Sequence, residues 1–78
     1  MRETVHMPKL GDTADEVLVT GWVAEIGDDL GEGQALMTVE TSKVEADVPA
    51  PIAGTLVERL VDVDDEIEVG TPVAVLET

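Results

Sequence analysis

The sequence predicts an all-β fold built from two similar halves, and three observations predict it. Valine is the dominant apolar residue, which favours strands over helices. Glycines and prolines punctuate the chain at Pro8, Gly11, Gly21, Gly27, Gly31, Gly33, Pro49, Pro51, Gly54, Gly70 and Pro72. The chain also repeats itself. Val17–Thr41 aligns with Gly54–Thr78 at a constant offset of 37 without a gap. Asp28/Asp65, Gly33/Gly70, Glu40/Glu77 and Thr41/Thr78 are identical, and apolar residues coincide at Val19/Leu56, Val23/Leu60, Ala24/Val61, Ile26/Val63, Leu30/Ile67, Leu36/Val73 and Val39/Leu76. Two copies are too few for a solenoid, which needs about three or more, and suit one compact domain over 1–78.

The expected strands, in order, are Thr4–Met7, Val17–Ala24, Ala35–Thr41, Val44–Val48, Gly54–Val61 and Val73–Glu77, with short bridging strands at Asp29–Leu30 and Glu66–Ile67. Imperfect alternation in Val17–Ala24 predicts a bulge or bend there. Turns are expected at Gly27-Asp28 and at Asp64-Asp65, since Asp tolerates tight turns, though less freely than Gly. Upstream, Val5-His6-Met7-Pro8 resembles Ala46-Asp47-Val48-Pro49 at an offset of 41, so the first copy is expected to hold four extra residues within Lys9–Glu16. Ala35–Thr41 and Val44–Val48 read as a hairpin closed by the two-residue loop Ser42-Lys43. With Trp22 the only aromatic residue, the core is expected to be Val, Leu, Ile and Ala.

Composition narrows the function. The net charge of −14, from 4 basic and 18 acidic residues, argues against binding nucleic acid or anionic membrane. It also suits steering toward basic patches on partner proteins. The absence of cysteine excludes a disulfide framework, a thiolate zinc site and a cysteine nucleophile. It also fits a reducing compartment, either bacterial cytoplasm or an organelle matrix. The longest apolar run, Val73–Leu76, is far below the roughly 20 residues of a membrane span.

No catalytic constellation is legible. Ser42 and His6 are the only serine and histidine, with nothing linking them, whereas a triad needs its members in contact. His6 reads as a surface strand residue. Asp62–Glu66 fails the calcium-loop pattern, because Ile67 stands where an EF-hand needs Gly, so an acidic turn is expected and no metal site. Lys43 remains. It lies at the junction of the two copies, at the expected hairpin tip, with Glu40, Glu45 and Asp47 holding it in water. An exposed lysine has a pKa near 10.4 and is a poor nucleophile at neutral pH, so it suits acylation by a separate enzyme that brings an activated donor. Its plainer role is a surface charge that discourages edge pairing.

Pro8-Lys9-Leu10-Gly11, Trp22-Val23-Ala24-Glu25-Ile26-Gly27-Asp28, Glu40-Thr41-Ser42-Lys43 and Val48-Pro49-Ala50-Pro51-Ile52-Ala53-Gly54 resemble the lipoyl domain of the acyltransferase component of 2-oxo acid dehydrogenase complexes, over nearly the whole chain. Biotinyl domains share the glycines and the apolar pattern but usually flank their lysine with methionines, where this chain has Ser42 and Val44. The resemblance implies a flattened barrel or sandwich of two four-stranded antiparallel sheets with quasi-twofold symmetry. It implies a non-catalytic carrier with lipoate in amide linkage on Lys43, recognised through Glu40, Thr41, Ser42, Val44 and Glu45.

Its implied partners are a lipoate ligase or lipoyl transferase, a thiamine-diphosphate decarboxylase, an acyltransferase core and a dihydrolipoamide dehydrogenase. The loop Lys9, Leu10, Gly11, Asp12, Thr13, Ala14, Asp15, Glu16 corresponds to one that helps the decarboxylase choose its substrate. Two residues depart from the pattern: Ser42 where Asp is most common, and Asp64 where Gly is usual. A biotin carrier and an unmodified lipoyl-like adaptor are the alternatives. The end of the second copy at Leu76-Glu77-Thr78 leads us to expect a monomeric domain excised from the N-terminal part of a longer multidomain chain.

Overall fold

The repeat becomes two sheets. A computed structural model describes residues 1–8, 16–41 and 45–78. Its strands are β1 Arg2–His6, β2 Glu16–Trp22, β3 Asp29–Leu30, β4 Ala35–Glu40, β5 Glu45–Pro49, β6 Gly54–Arg59, β7 Glu66–Glu68 and β8 Pro72–Glu77. They form one sheet in the order β1-β8-β6-β3 and another in the order β5-β4-β2-β7, with every pairing antiparallel. Replacing each strand of the first half by its counterpart in the second turns one order into the other. The expected two-sheet architecture with quasi-twofold symmetry is therefore present.

The symmetry reaches single hydrogen bonds. The Glu25 amide donates to the Asp28 carboxylate and the Asp62 amide to that of Asp65, each at 2.9 Å. The Gly27 amide meets the Leu56 carbonyl and the Asp64 amide the Val19 carbonyl, each at 2.7 Å. These bonds explain why Asp28/Asp65 is identical: the carboxylate closes the turn on its own backbone. They also account for Asp65 within the acidic run 62–66. Gly33 and Gly70, the other identical turn pair, both have positive φ, 85° and 92°.

Asp64 is the one non-glycine residue with positive φ among those described, at 75°, where its counterpart Gly27 has 97°. Asp64→Gly removes the crowding of Cβ in the left-handed region, at the cost of a more flexible unfolded chain. The expected net gain is about 0.5–1 kcal/mol, read as a melting point raised by a few degrees. Retention of the gain in high salt separates backbone relief from the removal of one acidic charge.

Register shifts of one residue account for the burial pattern. β2 carries Thr20 as its extra residue against β4, and β6 carries the counterpart Val57 against β8. The bulge expected in Val17–Ala24 is thus at Thr20. Leu36 in β4 and Val73 in β8 are extra in the same way. Each such residue breaks the strict in–out alternation, which lets neighbours Leu36 and Met37, and likewise Val73 and Ala74, all be fully buried. The core runs between the sheets through Val5, Val17, Val19, Val39, Val48, Leu56 and Leu76. It also takes in Met7 and Met37, which the aliphatic reading omitted.

Two expectations are corrected. β1 begins at Arg2, not Thr4, because edge-strand residues Arg2 and Glu3 pair with Glu77 and Leu76 while their side chains face solvent. The upstream offset is 43 rather than 41: Val5 pairs with Ala74 as Val48 pairs with Met37, and Arg2 with Glu77 as Glu45 with Glu40. The difference between offsets of 43 and 37 is six, so the first copy holds six extra residues rather than four. Met7 to Val17 is spanned by 8–16, where Ala50 to Gly54 needs only 51–53.

Gly54 opens β6 where it passes the chain's end. A Cβ there would lie 2.9 Å from the Glu77 carbonyl oxygen and 3.4 Å from the Leu76 Cβ. Backbone on the neighbouring strand cannot yield as a side-chain tip can. Gly54→Ala is expected to cost about 1–3 kcal/mol, measured as a lower urea midpoint at unchanged slope.

Candidate functional site

β4 and β5 form the hairpin expected around Lys43, ending in the described pair Glu40 opposite Glu45. Thr41 lies just beyond β4 rather than inside it and is half-buried, while Glu40 and Glu45 are exposed. Ser42, Lys43 and Val44, with the two-residue loop expected there, lie outside the described residues, as do 9–15 of the extra segment. Like charges opposite each other destabilise a strand pair. The repeat-equivalent pair at the chain ends is attractive instead: Arg2 Nε donates to Glu77 Oε2 at 3.1 Å. The hairpin end thus concentrates carboxylates on either side of the segment that carries the lysine.

The described ends of the two predicted site segments converge. Leu18 of β2 pairs with Glu40 of β4 on one side and with Glu66 of β7 on the other. Glu16, the last residue of the 9–16 segment, pairs with Glu68 and borders the same depression as Glu40 and Thr41. Glu16, Glu40 and Thr41 line this open depression of about 370 Å³ with Val17, Leu18 and Glu66. Its rim carries the carboxylates of Glu16, Glu40 and Glu66 around an aliphatic floor. That chemistry repels phosphate and is complementary to a cationic side chain with an alkyl stem. The sequence reading missed Val17, Leu18 and Glu66. Glu66 is distant in sequence, and only the β2–β7 pairing brings it here; the one signal was that β7 had to pair somewhere.

His6 ends β1 and is exposed, as expected of a surface strand residue. Among the described residues no group of three acidic, histidine or cysteine side chains is placed to hold a metal ion.

The fold this arrangement defines is that of a lipoyl domain. The solution structure of the lipoyl domain of the 2-oxoglutarate dehydrogenase complex from Azotobacter vinelandii superposes with a TM-score of 0.73, covering 96% of this chain and 95% of that one at 20% identity. Residues 3–76 match the biotin/lipoyl family model, described as biotin-requiring enzyme, and the chain belongs to that family. The dihydrolipoyllysine-residue acetyltransferase component of the pyruvate dehydrogenase complex of Corynebacterium glutamicum is 41% identical over 70 residues, 90% of this chain and 10% of that protein. The Haemophilus influenzae component of the same description is 40% identical over 77 residues, 99% of this chain and 13% of that protein. The dihydrolipoyllysine-residue succinyltransferase component of the 2-oxoglutarate dehydrogenase complex of Staphylococcus saprophyticus is 35% identical over 72 residues, 92% of this chain. The chain spans between 10% and 17% of the length of these relatives.

Proposed function

We propose that the chain is a lipoyl carrier domain of a 2-oxo acid dehydrogenase complex, with lipoate held in amide linkage on Lys43. The observation that carries this reading is the β4–β5 hairpin. Its end brings the exposed Glu40 and Glu45 opposite each other, and the chain joining them carries Lys43. The fit of the group rests on the same place. An attachment point needs an amine away from the core, and Glu40 and Glu45, the last described pair of the hairpin, are both exposed. Bound lipoate supplies a redox-active dithiolane that carries acyl groups and reducing equivalents.

The protein's own residues present and identify that arm. Lys43 supplies the amine, and a ligase or lipoyl transferase supplies the activated lipoyl donor. Glu40, Thr41, Ser42, Val44 and Glu45 frame the lysine for that enzyme. The 9–16 segment and the Glu16–Glu40–Glu66 depression face a thiamine-diphosphate decarboxylase. The acyltransferase core and a dihydrolipoamide dehydrogenase use the same arm. The domain performs none of these reactions itself. It is one unit of a longer acyltransferase chain, working in bacterial cytoplasm or an organelle matrix, and tethering raises its effective concentration at each active site.

Intact mass after incubation with lipoate ligase and, separately, biotin ligase tests the reading. A single lipoyl adduct is the expected outcome. A biotinyl adduct makes the chain a biotin carrier, and no adduct from either ligase makes it an unmodified adaptor.

A further inference from the structure

The centre of the molecule carries a second feature. Trp22 and Arg59 are repeat equivalents at the offset of 37, and they touch: the Arg59 guanidinium carbon lies 5.2 Å from the centre of the indole ring. Each also reaches across to the other half. Trp22 Nε1 donates to the Val61 carbonyl at 3.0 Å and Arg59 Nη2 to the Ala24 carbonyl at 2.9 Å, and Ala24 and Val61 are themselves equivalents. The pseudo-twofold axis therefore passes through this pair. The two segments that cross there hold every exposed large apolar residue among those described except Met1: Val23 at 55%, Ile26 at 54%, Leu60 at 41% and Val63 at 47%. They too are two equivalent pairs. Singly scattered apolar residues are ordinary on a surface, but these four all lie within four residues of the Trp22–Arg59 contact along the chain. Exposed Glu25 and Asp28 lie near Val23 and Ile26 in sequence, and exposed Asp62, Asp64 and Asp65 near Leu60 and Val63.

We propose that this two-fold apolar strip docks a partner protein segment whose aliphatic side chains are flanked by lysine or arginine. A second copy of the chain could also lie across the axis, as isologous pairs do. It would set two chains of net charge −14 against each other, carboxylate against carboxylate. Charge complementarity selects the cationic partner. The strip uses no residue of 9–16 or 40–45, so the inference stands apart from the carrier reading, and a carrier held here keeps its lysine segment available.

Trp22, the only aromatic residue, is a built-in reporter. The unlipoylated 78-residue chain is titrated with three synthetic peptides of equal length: an amphipathic leucine/lysine peptide, a serine/lysine peptide of the same charge, and a leucine/glutamate peptide. The leucine/lysine peptide is expected to change Trp22 emission and to shift amide resonances of 22–28 and 59–65. The serine/lysine peptide should bind at least about tenfold more weakly, equivalent to about 1.4 kcal/mol, and the leucine/glutamate peptide not at all. The V23S/L60S variant should lose about tenfold in affinity with an unchanged melting curve; Ile26→Ser, in a turn, serves if that pair unfolds. Equal binding of the serine/lysine peptide, or shifts confined to other surfaces, overturns the proposal. So does sedimentation showing that the wild type pairs with itself and V23S/L60S does not, which would assign the strip to a second copy.

Discussion

Lipoate ligase will modify the wild-type chain and Lys9→Ala, and will leave Lys43→Ala unmodified. The chain has only these two lysines, so the side-chain contest is between Lys9 and Lys43. The remaining amine is the N-terminus, which donates to the Thr78 carbonyl oxygen at 3.0 Å. Amide formation removes one positive charge, so the formal net charge falls by one from −14, and ion exchange resolves the product. Modification surviving in Lys43→Ala sinks the assignment. Ser42→Asp should change little, because the ligase reads where the lysine stands. Exchanging Ser42 and Lys43 should nearly abolish modification, since the exchange moves the amine one residue along the segment that joins Glu40 to Glu45. Equal modification of the exchanged chain would show that position is not what is read.

Lys43 stood out in the sequence because its signal is local: one amine between two acidic strands at a repeat junction. The strands were legible for a related reason. In β4 and β8 the fold requires buried residues at matching positions, so Leu36, Val39, Val73 and Leu76 kept their register at constant offset. β1 was misaligned because Pro8 and Pro49 looked equivalent. Proline matches by type, but strand partners are chosen by backbone hydrogen bonds, and those put His6 opposite Pro72 as Pro49 is opposite Ala35. The central Trp22–Arg59 pair was hidden by its own chemistry. An aromatic residue and a cation do not register as counterparts, although the repeat had already aligned them. The depression by Glu16, Glu40 and Glu66 depends on three strands meeting, which no local pattern encodes.

Removing four residues from 11–15 should leave the domain folded and lipoylated yet slow its reductive acylation by the cognate decarboxylase at least about tenfold, equivalent to about 1.4 kcal/mol of transition-state recognition. The fold does not need the full segment. The second half joins Ala50 to Gly54 through only 51–53, while the first half uses 8–16 for the equivalent step from Met7 to Val17. Six residues are therefore surplus to closure, and shortening a connection within that surplus costs little stability. The surplus is not placed at random. It runs into Glu16, on the rim shared with Glu40 and Thr41 beside the lysine-bearing segment, and the equivalent stretch 51–53 of the other half has no such extension. A partner that reaches the segment between Glu40 and Glu45 is expected to meet Glu16 as well. Ligation and acylation should thus separate, ligation depending on the hairpin and acylation on the longer segment. Free lipoamide is the control, because its rate cannot depend on the loop. If the trimmed, lipoylated domain is acylated as fast as wild type, the six extra residues are only a structural variation, and recognition must rest on the hairpin and the acidic depression alone.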